Sequence, residues 1–255
     1  GQTRHAWSGA AKTVAFEGYR SIALDLRGHG ESDWAADGDY SLEAIARDLI
    51  EVGEHVARGG TRPHVVGASL GGLAAIVAAG MLSRDAFESV TLVDITPNMD
   101  AAGVTKVVGF MGAHVHEGFD SLEQAADVIA TYLPHRPRPK DLEGLRKNLR
   151  QGEDGRWRWH WDPAFITGVM RRSGVAHTGD LEQAVRDIRV PLHLIRGRMS
   201  ELVSEDSVAA FRSLAPQAHY TDVAGARHMV AGDRNDVFIE AVVSFLRTIR
   251  EQTPV

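Results

Sequence analysis

The sequence predicts an α/β fold with a mostly parallel sheet flanked by helices. Short apolar runs rich in β-branched residues alternate along the chain with segments of helical periodicity. These runs lack the regular polar alternation of half-exposed strands, which indicates a parallel sheet that is covered on both faces. The predicted strands are 21–24, 64–66, 89–93, 191–195 and 219–223.

Helical patterns fill the intervals between the strands. They cover 6–16, 42–56, 70–82, 121–133, 141–149 and 235–249, with Ser41 and Asn235 placed to cap helices and a further helix starting at Ser204. No convincing buried strand falls in residues 98–188, and this interval is too long for a loop. We therefore predict a core of residues 1–97 and 189–255 with an inserted helical cap of residues 98–188.

Composition excludes several classes of protein. The 255 residues include 28 Lys and Arg against 34 Asp and Glu, a net charge of −6, which argues against nucleic acid as a partner. The absence of cysteine excludes disulfides, thiolate metal ligands and a cysteine nucleophile. The most apolar stretch, residues 70–82, is too short to span a membrane, so we expect no membrane partner.

The start of the chain is unusual for this architecture. Gly1 leads almost directly into a helical pattern, whereas a complete domain of this kind would have strands before it. We therefore expect N-terminal strands to be missing. No signal peptide is visible, and we expect a cytoplasmic location, with the question of a leader before Gly1 left open.

The strongest motif is the turn Gly67-Ala68-Ser69-Leu70-Gly71-Gly72, which has the form G-x-S-x-G. It lies between a predicted strand and a predicted helix, the context in which a strained turn raises a nucleophilic serine above the sheet. Side chains at Gly67 and Gly71 are expected to clash with neighbouring elements. The Leu70 N–H, at the helix N-terminus, points where an oxyanion would form. An ordinary glycine-rich turn without a catalytic role is the alternative.

A serine nucleophile needs a base and a group that orients the base. In this chain order both should follow the serine. Among the twelve histidines, His228 follows the last predicted strand in a glycine-containing turn. Glu201, in the loop after the fourth strand, is the expected acid. Asp94, at the end of the third strand, is the alternative, because a carboxylate there could reach the same histidine.

These residues resemble the α/β-hydrolase superfamily over nearly the whole chain. Four landmarks match in order, namely the loop Asp25–Ser32, the Ser69 turn, the acid loop 196–204 and the histidine loop 225–230. The likeness is greatest to capped bacterial esterases, lactonases and cofactor-free peroxidase-like enzymes.

The chain departs from the superfamily pattern in two places. Glu201 stands where many relatives carry Asp, and no His-Gly segment is present to supply an oxyanion N–H. Gly1 looks like the tail of that segment. The resemblance therefore implies that Gly1, or a residue just upstream, is the second oxyanion donor.

Two clusters within the predicted cap have competing interpretations. Trp157, Trp159 and Trp161 would point one way in an extended segment, and we expect them to anchor the cap, with substrate contact as the alternative. His114 and His116 would lie on different faces of a helix, so we expect no metal site there.

The sequence thus predicts a serine hydrolase that cleaves a small-molecule carboxylic ester or lactone through an acyl-enzyme. Ser69, His228 and Glu201 form the expected triad, with Leu70 and Gly1 at the oxyanion and no metal or organic cofactor. The alternatives are carbon–carbon bond hydrolysis or perhydrolysis by the same triad, and a non-catalytic ligand receptor on the same fold. The oligomeric state is left open.

Overall fold

The computed structural model describes residues 1–57, 60–138, 140–171 and 178–252. Its strands are β1 (His64–Ala68), β2 (Ser89–Val93), β3 (Leu149–Gln151), β4 (Trp157–Trp159), β5 (Leu192–Gly197) and β6 (His219–Val223). Strands β1, β2, β5 and β6 lie side by side in that order and are parallel throughout. The predicted α/β fold with its parallel sheet is confirmed.

The predicted strand at residues 21–24 is wrong. Residues 19–26 adopt no regular secondary structure. Among the described residues no strand lies beside this segment, and a strand is completed only by hydrogen bonds to a neighbour.

Ten α-helices are present in the described residues. They are α1 (Ser8–Phe16), α2 (Leu42–Val56), α3 (Leu70–Val77), α4 (Ala101–Gly112), α5 (Leu122–Tyr132), α6 (Pro163–Arg171), α7 (Thr178–Asp187), α8 (Glu205–Leu214), α9 (Val230–Asp233) and α10 (Asn235–Gln252). Helix α3 continues as a π-helical turn over Ala78–Leu82, and 3₁₀ turns cover Arg4–Trp7 and Glu143–Lys147. None of the described helices is both long and apolar enough to cross a membrane.

Local signals in the sequence set several of the helix ends. The Ser41 hydroxyl accepts the Ala44 N–H at 3.1 Å, so the predicted cap is confirmed. The Ser204 hydroxyl accepts the Ser207 N–H at 3.1 Å and caps α8, so the helix expected at Ser204 begins one residue later, at Glu205. Asn235 is the first residue of α10 rather than its cap. Of the helix predicted over residues 141–149, only the 3₁₀ turn Glu143–Lys147 forms, and the prediction is wrong at Leu149, which pairs with Trp159 in the antiparallel β3–β4 ladder.

The described residues divide into two compact units. One comprises residues 1–6, 23–40 and 105–173, and the other comprises residues 7–22, 41–104 and 174–255, with the four-stranded sheet. Helix α7 packs against α3 and α8 and so belongs to the sheet-bearing unit. This division differs from the boundaries expected for a cap of residues 98–188.

The core of the sheet-bearing unit forms where α10 covers the strands. Phe238, Val242 and Leu246 recur at helical spacing and are buried against Val93, Ile195 and Val223, one residue from each of β2, β5 and β6. Burying an aliphatic or aromatic side chain of this size contributes about 1.5–3 kcal/mol. This packing fixes the positions of three strands whose ends carry the candidate site.

The other unit has an aromatic core around the β3–β4 hairpin. Trp157, Trp159 and Trp161 are all buried. The Trp159 ring stacks on Trp161 with centroids 4.8 Å apart, and the edge of Phe119 meets it at 5.0 Å. The three indoles therefore stabilise their own unit, while an anchoring or substrate-contacting role stays a prediction.

The loop Asp25–Ser32 folds around a buried carboxylate. Asp25 accepts the Arg4 backbone N–H at 2.6 Å and the Glu31 N–H at 3.1 Å, and it also pairs with the Arg4 guanidinium. Burial alone would raise the pKa of Asp25, but these donors outweigh it and hold that pKa below its usual value. Gly30 has φ +56, and a Cβ there would lie 2.2 Å from the Asp25 carboxyl carbon. Glycine at this position thus lets the loop close over the carboxylate.

Candidate active site

Four loops meet at one edge of the parallel sheet because adjacent parallel strands end on the same side. Ser69 follows β1, Asp94 follows β2, residues 198–204 follow β5 and residues 224–229 follow β6. Backbone hydrogen bonds continue past the strand ends. The Ser69 N–H donates to Val93 O at 3.3 Å, and the Asp94 N–H donates to Ile195 O at 2.7 Å. The loops are thereby held in register with one another.

Ser69 occupies the strained turn that its motif predicts. Its backbone has φ 50 and ψ −119, and α3 begins at the next residue. Its carbonyl accepts the N–H groups of Gly72 and Leu73 at 2.9 and 3.0 Å. A side chain at positive φ costs about 1–3 kcal/mol. The packed strand and helix on either side must therefore hold the backbone in this conformation.

The glycine requirement of this turn differs in part from expectation. A Cβ on Gly67 would lie 2.4 Å from Gly71 O, as predicted, and a Cβ on Gly72 would lie 2.4 Å from Ile95 Cγ2 and 2.8 Å from Gly67 O. A Cβ on Gly71 would meet no described atom within 4 Å, so the clash expected there is wrong. The close approach of α3 to β1 instead depends on Gly67 and Gly72.

His228 is paired with Asp94. The Nδ1 atom of His228 lies 2.8 Å from Asp94 Oδ2, and the Asp94 carboxylate is completely buried. A carboxylate oxygen only accepts, so Nδ1 carries a proton, and in the neutral form of this tautomer Nε2 has the free lone pair. Asp94, like Ser69, has a φ of 50. Two non-glycine residues at the ends of adjacent strands thus share the backbone strain that is typical of functional sites.

The expectation that Glu201 orients His228 is corrected by this geometry, since the hydrogen bond at Nδ1 goes to Asp94. The backbone at Glu201 packs against the start of α4. A Cβ on Gly103 would lie 2.0 Å from Glu201 O, and the Asp100 N–H donates to Leu202 O at 2.9 Å. In the same loop, the Ser200 hydroxyl lies 2.5 Å from Asp94 Oδ2.

The histidine loop is docked on the end of β5. The Met199 N–H donates to Ala226 O at 2.9 Å. A Cβ on Gly197 would lie 2.3 Å from Arg227 O, so only glycine allows this approach. The Arg227 N–H donates to the Asp233 carboxylate at 2.9 Å, which ties the loop to α9. These contacts place His228 beside Asp94.

The two expected oxyanion donors lie in different units. Leu70 is the first residue of α3, so its N–H belongs to the first turn, where N–H groups find no partner within the helix. Gly1 lies in the unit without the large sheet, where its carbonyl is 3.4 Å from His160 Nε2. The roles of both residues stay predictions.

The structure gives His114 a partner other than His116. The Nδ1 atom of His114 lies 3.4 Å from Glu117 Oε1. Over residues 1–57, 60–138, 140–171 and 178–252, no group of three or more His, Cys, Asp or Glu could hold a metal ion. The absence of a metal requirement stays a prediction.

Sequence reasoning missed Ser200. Its place in the acid loop was the available signal, but the sequence does not reveal which side chain of Met199, Ser200 and Glu201 turns inward. The result is a site with a strained serine, a histidine whose Nε2 can take a proton, and a buried carboxylate that orients it. Such a set can carry out nucleophilic attack on a carbonyl carbon.

Comparison with known proteins identifies a family and related hydrolases. The model of the α/β-hydrolase fold family matches residues 1–234. The chain is 29% identical to esterase Rv0045c of Mycobacterium tuberculosis over 255 residues, covering 97% of this chain and 80% of that protein. It is 30% identical to 2-(acetamidomethylene)succinate hydrolase of Mesorhizobium japonicum over 230 residues, covering 89% of this chain and 78% of that protein.

Solved structures give the same result. A crystal structure of the Mycobacterium tuberculosis esterase matches with a TM-score of 0.73 at 29% identity, over 96% of this chain and 80% of that one. The structure of E-2-(acetamidomethylene)succinate hydrolase also matches with a TM-score of 0.73, at 25% identity, over 94% of this chain and 87% of that one.

Proposed function

The chain belongs to the α/β-hydrolase family, and we propose that it is a serine hydrolase that cleaves carboxylic esters or lactones. It is a hydrolase on this fold, in line with relatives named as an esterase and as a hydrolase. One observation carries the finer proposal. His228 is oriented by the buried Asp94 at the same sheet edge as the strained Ser69.

The proposed reaction begins with attack of Ser69 Oγ on the carbonyl carbon of the substrate. The Nε2 atom of His228 accepts the hydroxyl proton, and Asp94 stabilises the imidazolium that forms. The Leu70 N–H, at the positive end of α3, stabilises the oxyanion. Collapse of the tetrahedral intermediate breaks the carbon–oxygen bond of the ester. His228 then returns the proton to the leaving alkoxide, which leaves an acyl group on Ser69.

Water completes the cycle. His228 removes a proton from water, the hydroxide attacks the acyl carbon, and a second tetrahedral intermediate forms. Its collapse breaks the bond to Ser69 Oγ, which takes the proton from His228. The products are a carboxylic acid and an alcohol, or a hydroxy acid where the substrate is a lactone. Every proton transfer in this cycle passes through His228 Nε2, while Asp94 and the backbone donors stabilise the charges that form.

Ser69→Ala tests the proposal. Turnover of p-nitrophenyl acetate should fall by about 10⁴-fold or more, as when other serine nucleophiles are removed. Ser213→Ala is the matched control, because the Ser213 hydroxyl donates to Ala209 O within α8. A serine-directed fluorophosphonate should label the parent at Ser69 and leave Ser69→Ala unlabelled. Undiminished turnover in Ser69→Ala, or labelling at another serine, would overturn the mechanism.

A further inference from the structure

We propose that Ser200 is a positioning residue for this reaction, whose hydroxyl holds the Asp94 carboxylate in the orientation that binds His228. The inference rests on the proposed function, because it concerns the same acid and base. It adds a fourth side chain, from the loop after β5, to the residues on which turnover depends.

The hydrogen bonds of Ser200 determine the direction of its hydroxyl proton. Its Oγ atom lies 3.1 Å from both the Leu202 and the Val203 backbone nitrogens, and 2.5 Å from Asp94 Oδ2. A hydroxyl has one proton and two lone pairs. The two N–H groups occupy the lone pairs, so the proton points at the carboxylate. The loop itself therefore orients Ser200 as a donor to Asp94.

Asp94 is held from two sides. Its Oδ1 accepts the Gly197 N–H at 2.9 Å, and its Oδ2 accepts both the Ser200 hydroxyl and the His228 Nδ1–H. A buried carboxylate needs such donors in place of water. Rotation of the carboxylate plane would break the bonds to Gly197 and Ser200 together. The β5 end thus fixes the plane in which Oδ2 meets His228.

Ser200 also shares the charge that faces the imidazole. Both Ser200 and His228 bind the same oxygen, Oδ2, so loss of the hydroxyl leaves more negative charge directed at His228. The imidazolium is then favoured up to a higher pH. A looser carboxylate also orients the base less well, which lowers kcat. The Ser200 hydroxyl is occupied by Asp94 and two loop N–H groups, so KM should change little.

Ser200→Ala is the primary test, with p-nitrophenyl acetate as substrate. We expect kcat to fall about tenfold with KM within about twofold. The pH of half-maximal kcat/KM should rise by about 0.5 unit. Ser200→Thr keeps the hydroxyl and should restore both quantities to within about twofold of the parent. Ser200→Cys, which keeps the volume but donates weakly, should lie between them and replaces Ser200→Ala if that variant folds poorly.

Ser204→Ala is the matched control, since it removes a neighbouring hydroxyl that caps α8 and leaves Asp94 untouched. It should lower the free energy of unfolding by about 1 kcal/mol, while its kcat per folded molecule and its pH profile stay those of the parent. If Ser204→Ala reproduced the kinetic effects of Ser200→Ala, those effects would reflect stability alone and the proposal would fail.

Two further measurements separate the role of Ser200 from the proposed function. In an Asp94→Asn background, Ser200→Ala should lower kcat less than about twofold, because Ser200 acts through the lost carboxylate. Independently of turnover, the proton NMR resonance of the His228 Nδ1–H should shift in Ser200→Ala and not in Ser204→Ala. Ser69-independent turnover would overturn the proposed function. Ser69-dependent turnover with parental kcat, pH profile and resonance in Ser200→Ala would overturn this inference alone.

Discussion

At the scale of single residues, the surroundings of Asp94 fix both its backbone conformation and the orientation of its carboxylate. It is completely buried, has a positive φ and accepts hydrogen bonds at both carboxylate oxygens. A buried carboxylate without donors would be unfavourable by several kcal/mol. The end of β5, the loop after it and His228 together supply those donors, so the stability of the charged group and the orientation of the base depend on the same contacts.

Exchange of the carboxylate for an amide separates the two acids considered for this site. Asp94→Asn should lower turnover per folded molecule by about 10²- to 10⁴-fold, because an amide nitrogen facing Nδ1 favours the wrong imidazole tautomer. Glu201→Gln is the isosteric control and should stay within about threefold of the parent, since Asp94 already orients His228. Initial rates with p-nitrophenyl acetate, corrected for the folded fraction by circular dichroism, measure both. A nearly inactive Glu201→Gln together with an active Asp94→Asn would show that Glu201, in the loop after β5, is the acid that orients His228.

Strain at Ser69 gives a stability prediction that differs from the activity prediction. Ser69→Ala and Ser69→Gly both remove the nucleophile, but only glycine adopts φ 50 without steric cost. Glycine relieves about 1–3 kcal/mol of backbone strain at this position. This gain exceeds the roughly 0.5–1 kcal/mol by which the greater freedom of glycine in the unfolded chain destabilises the fold. We expect Ser69→Gly to be more stable than Ser69→Ala by about 1 kcal/mol in urea-induced unfolding. Equal stability would mean that the turn is unstrained.

At the scale of elements, the approach of α3 to β1 and β2 determines where Ser69 lies. A Cβ on Gly72 would come within 2.8 Å of the Gly67 carbonyl oxygen, whereas a Cβ on Gly71 would meet no described atom within 4 Å. Gly72→Ala should therefore destabilise the fold by about 1–3 kcal/mol. Gly71→Ala should be neutral or stabilising by up to about 1 kcal/mol through helix propensity. Urea midpoints of the two variants measure this difference, and similar destabilisation by both would contradict the packing.

Elements whose formation depends on nearby residues could be predicted from the sequence. Strands β1 and β2 and the caps Ser41 and Ser204 follow from hydrophobic runs and from a hydroxyl placed before a helix. The segment 141–149 has helical periodicity, but pairing of Leu149 with Trp159 outweighs that weak preference. The segment 21–24 has strand composition, but no strand among the described residues lies beside it to complete a ladder.

Two of the three residues of the candidate site could also be predicted from the sequence. Ser69 is marked by a motif, and His228 is marked by its position after the last strand. The acid could not be chosen from sequence, because Asp94 and Glu201 both follow strands that end at the same sheet edge. The choice depends on how the loop after β5 turns, and it is the Ser200 hydroxyl of this loop that meets the Asp94 carboxylate.

At the scale of the whole molecule, buried histidines occur in both compact units. Burial lowers the pKa of His193, on β5, from 6.5 to about 4, and a smaller contribution comes from His219. In the other unit, the pKa of His29 is lowered to about 3 and that of His160 to about 4, and burial is again the largest cause. In each case the folded state disfavours the charged imidazole. Each histidine should therefore make the fold less stable in acid.

The sign and the size of this effect follow from proton linkage. Because the folded pKa lies below the unfolded value, the stabilisation from a neutral His193 is complete above about pH 6.5 and is lost as the pH falls toward about 4. Within that window one such group changes the free energy of unfolding by up to about 1.4 kcal/mol per pH unit. His193→Gln should lower the slope of the unfolding free energy against pH by up to this amount, whatever its effect on absolute stability.

Urea unfolding of the parent and of His193→Gln at several pH values between about 6.5 and 4 measures the two slopes. Exposed His219→Gln, on the neighbouring strand, is the matched control and should leave the slope close to that of the parent. The His193 Nε2 bond to Thr221 Oγ1, 2.9 Å long, is lost in His193→Gln, which affects stability at every pH and so cancels from the slope. A slope in His193→Gln equal to that of the parent would show that His193 titrates alike in the folded and unfolded chains, and the acid sensitivity would then have to arise from other groups.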